Sequence, residues 1–410
     1  MKNAMVAPGL SNDFERVRAQ TEALAAPLSA EDQCVQSMPD ASPTKWHRAH
    51  TTWFFETFVL GPAGIDGLSP APYAVLFNSY YNAVGEQHHR PSRGLLTRPD
   101  CDEVTRYRNR IDSAVLELLA SGVDEAAARL ELGLHHEQQH QELLLTDIKH
   151  LLSLNPLDPA YLSDEAEAEH GSPASAMRWS SHPGGIVPIG CEPGNFSFDN
   201  ETPVHDVLLQ PFQIAQRLVT NSDYLAFMDD GGYERPELWL SDGWQAAQDH
   251  GWRAPAYWRR DERGWSAFTL RGRAPIIERE PVVHVSYYEA DAYARWAGAR
   301  LPSEHEWEAA TADPEPAPLC GRGPLFHPAA PSLYGAAWQW TSSSYAAYPG
   351  YRPAAGAIGE YNGKFMCSQY VLRGSSCFTP AGHARRSYRN FFPPGARWQL
   401  SGIRLARDAG

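Results

Sequence analysis

The chain has 410 residues, 43% of them hydrophobic and 20% charged, which allows a packed core and excludes a disordered protein. Its 35 Lys and Arg stand against 49 Asp and Glu, so the net charge of −14 argues against nucleic acid or an anionic membrane as a partner. No stretch approaches the roughly 20 apolar residues of a membrane span. The first residues lack the apolar segment of a signal peptide, and the six cysteines form no CxxC pair, so we expect a cytoplasmic protein with reduced thiols.

Helical signals dominate the first part of the chain. Four amphipathic helices of this kind favour a bundle, whose core is a natural place for a metal site. Their signals are a capping box at Asn12 and Glu15, a start at Ser42 with an end at Gly61, a capping box at Asp100 and Glu103 with an end at Gly122, and a run from about Asp124 to Leu152.

The residue composition of the sequence changes after a polar, acidic stretch that is typical of a linker. Short strand-like runs rich in Gly, Pro and Trp follow, with two helices capped at Ser286 and Ser303. The sequence therefore predicts an α+β multidomain protein. We divide it into a helical bundle with a metal site, residues 1–154, a linker, residues 155–179, and an α+β domain, residues 180–410.

A metal-ligand pattern lies in the last helix of the bundle. His136 and His140 are four residues apart, so on a helix both imidazoles point the same way and can bind one metal ion. The pattern HExxH is also that of zinc proteases, in which Glu137 would be a general base. The simpler interpretation is a pair of solvated histidines on a polar helix face.

A third ligand is predicted on the second helix. His50 lies between Trp46 and Trp53, and an imidazole in such aromatic surroundings needs a partner because burying it unpaired costs free energy. A ligand to the same metal explains it better than a core histidine. His47, one turn earlier, competes with His50 for this role.

The sequence resembles a known family over nearly its whole length. In the first half the resemblance is carried by WHRAHTTWFFETF, FNSYYNAVGEQHHRPSRGLLTRP and HHEQQHQELLLTDIKH, and in the second half by FSFDNETPVHDV, HVSYYEADAYARWAGARLPSEHEWEAA, GEYNGKF, VLRGSSCFTP and SYRNFFPPGARWQLSGIRLARD. The family is that of the sulfoxide synthases of ergothioneine biosynthesis, also called hercynine oxygenases. The resemblance implies a DinB-like four-helix bundle followed by a formylglycine-generating-enzyme-like domain, which is related to C-type lectins.

The resemblance also implies a metal and a reaction. The family's iron(II) ligands fall on His50, His136 and His140, and Gln139 matches a position near hercynine. The expected enzyme uses O2 to join the sulfur of cysteine to the imidazole carbon between the two nitrogens of hercynine, and oxidises that sulfur to a sulfoxide. In this family Glu137 is not a protease base. Because oxygen takes the electrons, neither flavin nor nicotinamide is expected.

Tyr80 and Tyr81 are the candidate proton donors. A tyrosine pair is by itself most often packing, since aromatic side chains supply buried area. In one branch of the family this pair reaches the iron, and a phenol can donate a proton there. In another branch the donor comes from the second domain, where the candidate residues are Tyr345, Tyr348 and Tyr351.

Further residues are implied in substrate binding. Arg90 and Arg93 can clamp a carboxylate with paired hydrogen bonds, although two arginines in a loop could equally be solvated, and in the family they bind the thiol substrate. Asn390, Phe391 and Phe392 match part of the hercynine pocket, where an aromatic face attracts the trimethylammonium group.

The same C-terminal stretch bears on which thiol is used. The branch that uses γ-glutamylcysteine has an acid and an arginine where this chain has Phe392 and Ala396, so the sequence favours cysteine. Arg397, one position later, keeps γ-glutamylcysteine open.

Three other functions remain open at the level of sequence. They are a selenoneine synthase, a metal-dependent thiol S-transferase, which would need no oxygen, and a non-catalytic lectin-like binding module. The expected partners are small molecules, namely hercynine, cysteine and O2, and the sequence does not give the oligomeric state.

Overall fold

The computed structural model describes residues 8–122, 126–162, 176–194, 196–312, 328 and 333–409. Part of the predicted linker, residues 163–175, lies outside the described residues. The chain divides into two compact units. The first comprises the described part of Met1–Leu157 together with Pro353–Tyr361, and the second comprises the described parts of Asp158–Arg352 and Asn362–Gly410.

The first unit is built on helices. In chain order they are α1 (Pro8–Ala25), α2 (Thr44–Phe55), the short α3 (Tyr73–Leu76), α4 (Cys101–Ala120) and α5 (Ala127–Ser153). Helix α2 packs against α4 and α5, and α1 packs against α5. After α2 the chain continues through a π-helical turn, Glu56–Leu60, and a 3-10 turn, Gly61–Ala63.

Of the two capping boxes predicted in the first unit, one is present in the structure and the other is not. The predicted capping box at α4 is present, because Asp100 accepts from the backbone N–H of Glu103 at 2.8 Å and Glu103 accepts from that of Asp100 at 2.8 Å. The box predicted at Asn12 and Glu15 is wrong. Helix α1 begins at Pro8, which places Asn12 inside the helix.

A glycine sets how closely α2 and α5 approach. A Cβ at Gly133 would lie 2.5 Å from Cε1 of Phe55, which is closer than any packed contact allows. Phe55 is fully buried together with Phe54. Gly133 lies one turn before His136, so this contact fixes the separation of the two helices beside the candidate ligands.

In its described residues the second unit combines four sheets with short helices, and the predicted α+β architecture is confirmed. Its helices are α6 (Asn221–Asp229), α7 (Ser241–Asp249), α8 (Tyr287–Trp296) and α9 (Glu304–Ala309). The described strands are β1 (Trp179–His182), β2 (Gly185–Ile189), β3 (His205–Leu209), β4 (Phe212–Ala215), β5 (Trp258–Asp261), β6 (Gly264–Thr269), β7 (Gly272–Pro275), β8 (Trp338–Ser344), β9 (Tyr370–Gly374), β10 (Asn390–Phe392), β11 (Ser401–Gly402) and β12 (Ala406–Asp408).

Strand pairing in the second unit is mostly antiparallel. The sheets have the orders β1-β4-β12, β10-β9-β8-β11, β2-β3 and β5-β6-β7, and β11 pairs with β8 in parallel. The pairing of β8 with β9 shifts register between Trp340 and Ser344. Both predicted capping boxes, at the starts of α8 and α9, are present.

Within the described residues, no helix combines the length and the apolar character needed to cross a membrane.

Candidate metal centre

Three histidines converge where α2 faces α5. His50, His136 and His140 each offer a ring nitrogen, and these nitrogens lie within 4.8 Å of one another. Nε2 of His50 is 3.2 Å from Nε2 of His136. Within the described part of the chain, this is the one group of three or more His, Cys, Asp or Glu side chains close enough to share a metal ion.

The three imidazoles suit a metal ion. Burial, followed by the neighbouring histidines, lowers the pKa of His50, His136 and His140 well below the usual value, so the rings are neutral. Nδ1 of His50 lies 2.6 Å from the carbonyl oxygen of Phe77 and therefore carries the proton, which leaves Nε2 with a free lone pair. This lone pair faces Nε2 of His136 at 3.2 Å, where one shared cation could accept a lone pair from each ring. The three histidines could thus hold a metal ion.

Aromatic rings surround the triad. Trp46 stacks on His50 with ring centroids 4.5 Å apart, and Trp53 lies 5.6 Å from the same ring. Phe54 stacks on His136 at 4.2 Å. Both tryptophans and Phe54 are buried. The rings exclude water and hold the two imidazoles in fixed orientations.

Glu137 of the HExxH pattern takes part in a buried ion-pair cluster. Its carboxylate is fully buried, lies 2.7 Å from Arg18 and 3.0 Å from Arg108, and accepts from the Thr21 hydroxyl at 2.6 Å. Burial alone would raise the pKa of Glu137, but the two arginines and Thr21 outweigh it and lower the pKa. This arrangement does not fit a general base, in agreement with the expectation from the family.

His47 lies outside the triad and contacts Asp147 and His140 instead. Nδ1 is 2.8 Å from Nδ1 of His140, and Nε2 is 3.0 Å from a carboxylate oxygen of Asp147. The sequence left His47 and His50 as competing third ligands, and the geometry groups His50 with His136 and His140.

Tyr80 and Tyr81 lie in the loop that follows α3. Their rings stack with centroids 4.6 Å apart, and Tyr81 packs on Phe58 at 4.9 Å and on Trp53 at 5.7 Å. Tyr81 is fully buried, and burial followed by the neighbouring Tyr80 raises the pKa of Tyr81 well above its usual value. Tyr80 is half-buried, and its hydroxyl donates to the carbonyl oxygen of Tyr361 at 3.5 Å.

Tyr361 belongs to the site, although sequence reasoning gave it no role. Its hydroxyl donates to Oε1 of Gln139, and its ring centroid lies 5.7 Å from that of His136. The carboxylate of the preceding Glu360 accepts from the backbone N–H groups of Asn82 at 3.0 Å and Ala83 at 2.7 Å. The stretch GEYNGKF was noticed in the sequence, but the division into residues 1–154 and 180–410 did not anticipate that its first three residues, 359–361, belong to the first unit.

The two predicted arginines differ in their surroundings. Arg93 is buried, its guanidinium lies 3.4 Å above the ring of Trp46, and it donates to the Ser42 hydroxyl at 2.9 Å. Among the described residues no carboxylate forms an ion pair with Arg93. Arg90 is exposed and donates to the carbonyl oxygen of Asp40.

The predicted hercynine-binding residues of the second unit form β10. Asn390, Phe391 and Phe392 are all partly exposed. Tyr345 stacks on Phe391 at 4.0 Å with the rings nearly parallel, so Tyr345 covers one face of that ring. Phe392 contacts Trp398, with ring centroids 6.3 Å apart.

The tyrosines considered as alternative donors are bonded within the second unit. The hydroxyl of Tyr345 accepts from Asn200 at 2.9 Å. That of Tyr351 donates to Asp199 at 2.8 Å, and that of Tyr348 donates to Glu304 at 3.3 Å. Each of the three hydroxyls thus has a hydrogen-bond partner within the second unit.

Comparison with known proteins agrees with this arrangement. Residues 13–144 match the DinB superfamily, and residues 171–316 and 331–409 match the Sulfatase-modifying factor enzyme 1-like domain. The chain is 33% identical to the hercynine oxygenase of Mycolicibacterium smegmatis over 91% of its own length and 92% of that protein.

Two further relatives differ in how much of the chain they cover. The hercynine oxygenase of Mycobacterium tuberculosis is 33% identical over 97% of this chain and 98% of its own length. The formylglycine-generating enzyme of Streptomyces coelicolor is 38% identical over 36% of this chain and 51% of its own length. The likeness to the hercynine oxygenases thus extends through both units, and with a histidine triad in the first unit the chain belongs to the hercynine oxygenase family of enzymes.

Proposed function

We propose that the protein is an iron(II)-dependent oxygenase that joins hercynine and cysteine to give hercynylcysteine sulfoxide, a step of ergothioneine biosynthesis. The observation that carries the proposal is the convergence of His50, His136 and His140, three neutral imidazoles of which the first two are buried and the third is partly exposed, in a member of this family. Three nitrogen ligands leave coordination positions open on a metal that prefers six.

The reaction balances without another cofactor. Hercynine, cysteine and O2 give the sulfoxide and water: one C–H and one S–H bond break, and a C–S bond forms. One oxygen atom stays on sulfur and the other leaves as water. Bound iron(II) would supply open positions for the substrates and a path for electrons to oxygen.

The chain's own groups would position substrates and protons. Tyr81 holds a proton on its hydroxyl, because burial raises its pKa, and can donate it to an oxygen-derived group. Gln139, bonded to Tyr361, can accept a hydrogen bond from an imidazole N–H or donate one to an imidazole nitrogen. Phe391 is partly exposed and lies between Tyr345 and Phe365, which gives an aromatic surface of the kind that attracts a trimethylammonium group.

Arg93 is a buried cation without a carboxylate partner among the described residues, so it can bind the cysteinyl carboxylate that both candidate thiols carry. The feature that favours cysteine over γ-glutamylcysteine is the pairing of Arg397. Arg397, which could have held a γ-glutamyl group, is already paired: its guanidinium lies 2.8 Å from Glu289 and 4.4 Å from the ring centroid of Trp252. A longer thiol would therefore gain no counter-charge from Arg397.

The test is oxygen consumption by iron-loaded protein in the presence of hercynine and one thiol. We expect consumption with cysteine, with one sulfoxide formed per O2, and less than one tenth of that kcat/KM with γ-glutamylcysteine, which corresponds to about 1.4 kcal/mol. In direct competition at equal concentrations, a product dominated by the γ-glutamyl sulfoxide would overturn the cysteine assignment.

The other functions give different results in the same assay. A metal-dependent thiol S-transferase would turn over equally well without oxygen. A selenoneine synthase would accept a selenosugar in preference to cysteine. A non-catalytic binding module would bind the substrates and consume no oxygen.

A further inference from the structure

Two side chains that the proposed reaction does not use lie directly behind the metal centre. Helix α2 presents His47 three residues before His50, and α5 presents Asp147 seven residues after His140, so each shares a helix face with a triad member. His47 is 3% exposed and Asp147 is 7% exposed. Polar groups buried this deeply need defined partners.

Their contacts form a continuous chain that ends at the triad. The carboxylate of Asp147 accepts from the backbone N–H of Ser42 at 2.8 Å, and the same oxygen lies 3.0 Å from Nε2 of His47. Nδ1 of His47 then lies 2.8 Å from Nδ1 of His140. His47 therefore connects a buried carboxylate to one of the three candidate ligands.

The direction of the first of these hydrogen bonds is set by the carboxylate of Asp147, at one end of the series of contacts. Nε2 of His47 must donate, because a carboxylate accepts. For His140 to keep a lone pair on Nε2 for a metal ion, its Nδ1 must carry the proton and donate it to Nδ1 of His47, 2.8 Å away.

We propose that His47 and Asp147 are positioning residues that hold His140 in the tautomer and orientation required for metal binding. The inference rests on the proposed function, since it assumes the metal site. Metal-binding histidines commonly donate their second N–H to a carboxylate or a carbonyl, and loss of such a partner lowers metal affinity about 10- to 100-fold. In this chain the partner of His140 is a second histidine, which is oriented in turn by Asp147.

A neighbouring ligand shows the same arrangement with a different partner. His50 points Nδ1 at the carbonyl oxygen of Phe77, at 2.6 Å. His140 makes the equivalent contact with a side chain, so this contact can be removed by mutation without altering the backbone.

The alternative is that Asp147 and His47 only tie α2 to α5. Two observables separate the possibilities: metal affinity, and the position of the proton on His140. If the two residues only link the helices, their loss changes the stability of the metal-free protein. Metal affinity and the position of the proton on His140 then stay unchanged.

The first measurement is Co(II) affinity of the full chain, determined by competition with a chelator. We expect His47→Leu and Asp147→Asn to weaken binding about 10- to 100-fold. His47→Gln should recover most of the loss, because its amide can accept from His140 and donate to Asp147. The matched control is His150→Leu: His150 is also on α5 and is bonded to the Ser37 hydroxyl, away from the triad, and its loss should leave affinity unchanged.

The second measurement is NMR of the ring nitrogens in 15N-histidine-labelled protein saturated with Zn(II). In the wild type we expect His140 to be protonated on Nδ1, with that proton protected and shifted downfield by its hydrogen bond. In saturated His47→Leu the proton should move upfield and exchange faster. Equal Co(II) affinity of His47→Leu and wild type, or a His140 protonated on Nε2, would overturn the inference.

Failure of the proposed metal site would look different. Then the wild type itself would bind no Co(II), and His50→Ala would have no effect. Tight binding that depends on His50 but not on His47 would leave the metal site standing and reject only the positioning role.

Discussion

Arg93 is a buried cation whose charge is not balanced by an ion pair with any described carboxylate. Burial, followed by the charge of Arg90, lowers the pKa of Arg93 well below the usual value for arginine. A buried charge without a counter-charge destabilises the folded protein, and a bound carboxylate would remove that cost. The buried charge of Arg93 is therefore more stable with an anionic ligand bound than in the free enzyme.

We predict that Arg93→Met raises the KM for cysteine about 10- to 100-fold, since a hydrogen bond to a charged group contributes about 1.5–3 kcal/mol. The KM for hercynine should stay within about twofold, and the melting temperature should not fall, because a flexible apolar chain replaces an uncompensated charge. Steady-state kinetics with each substrate varied in turn, together with calorimetry, checks this. Arg90→Met, at the exposed position, should give the smaller effect, and an unchanged KM for cysteine in Arg93→Met would contradict the assignment.

Tyr81 is the second residue whose surroundings make a chemical prediction. Its pKa is raised by burial, so the phenol keeps its proton throughout the physiological range. Tyr81→Phe preserves the packing on Phe58 and Trp53 and removes only the hydroxyl.

We predict that Tyr81→Phe binds both substrates normally but diverts a large part of the product to cysteine sulfinic acid, because no proton is delivered during C–S bond formation. Product analysis by mass spectrometry after oxygen exposure is the measurement. Tyr80→Phe and the double variant locate the donor within the pair. Tyr345→Phe, whose hydroxyl bonds to Asn200, tests the alternative donor of the second unit. An unchanged sulfoxide yield in the double variant would exclude both tyrosines.

At the scale of elements, the site depends on the shared face of α2 and α5. His136 and His140 could be paired from the sequence, because their spacing of four is a property of a single helix. Spacing alone could not choose between His47 and His50, which lie three residues apart on one face of α2, and the choice of His50 came from the resemblance to the family. In the structure the position of α5 brings His50 to the pair.

The same distinction between local and distant contacts explains the other outcomes. The capping boxes at Asp100, Ser286 and Ser303 were predictable because each closes within four residues. The box at Asn12 failed because helix α1 continues back to Pro8. The role of residues 353–361 could not be derived, since nothing local indicates that the segment joins the first unit.

The segment Pro353–Tyr361 contacts the loop of Tyr80 and Tyr81 through Glu360. Its two carboxylate oxygens accept from consecutive backbone N–H groups, those of Asn82 and Ala83, and so hold the loop of Tyr80 and Tyr81. We predict that Glu360→Ala increases amide hydrogen exchange in this loop at least tenfold, since bonds to a charged acceptor contribute about 1.5–3 kcal/mol each.

The variant should also lose part of its sulfoxide yield while keeping its full metal content. Exchange measured by mass spectrometry and metal content by elemental analysis test both points. Glu86→Ala, an exposed acid in the same loop, is the control. If exchange near Tyr81 is the same in Glu360→Ala and wild type, the segment does not hold the loop.

At the scale of the whole molecule, the metal ligands and the tryptophans are distributed unequally between the two units. All three candidate ligands belong to the first unit. So do Trp46 and Trp53, both stacked on His50, whereas the other 11 of the 13 tryptophans lie in the sequence of the second. Metal binding should therefore stabilise and report on one unit selectively.

We predict that Zn(II) at about 100 times its Kd stabilises the first unit by about 2.7 kcal/mol, because an ion that binds only the folded state shifts unfolding by mass action. Hydrogen exchange across a urea series should show slower opening of α2 and α5 and little change in the sheets of the second unit. Co(II) should quench the fluorescence of Trp46 and Trp53, and Trp53→Phe should reduce the quenched fraction. His50→Ala should abolish the stabilisation and the quenching together, while His150→Ala keeps both. An equal increase in protection across both units would show that they unfold as one cooperative block, and would contradict the prediction that the metal acts on the first unit alone.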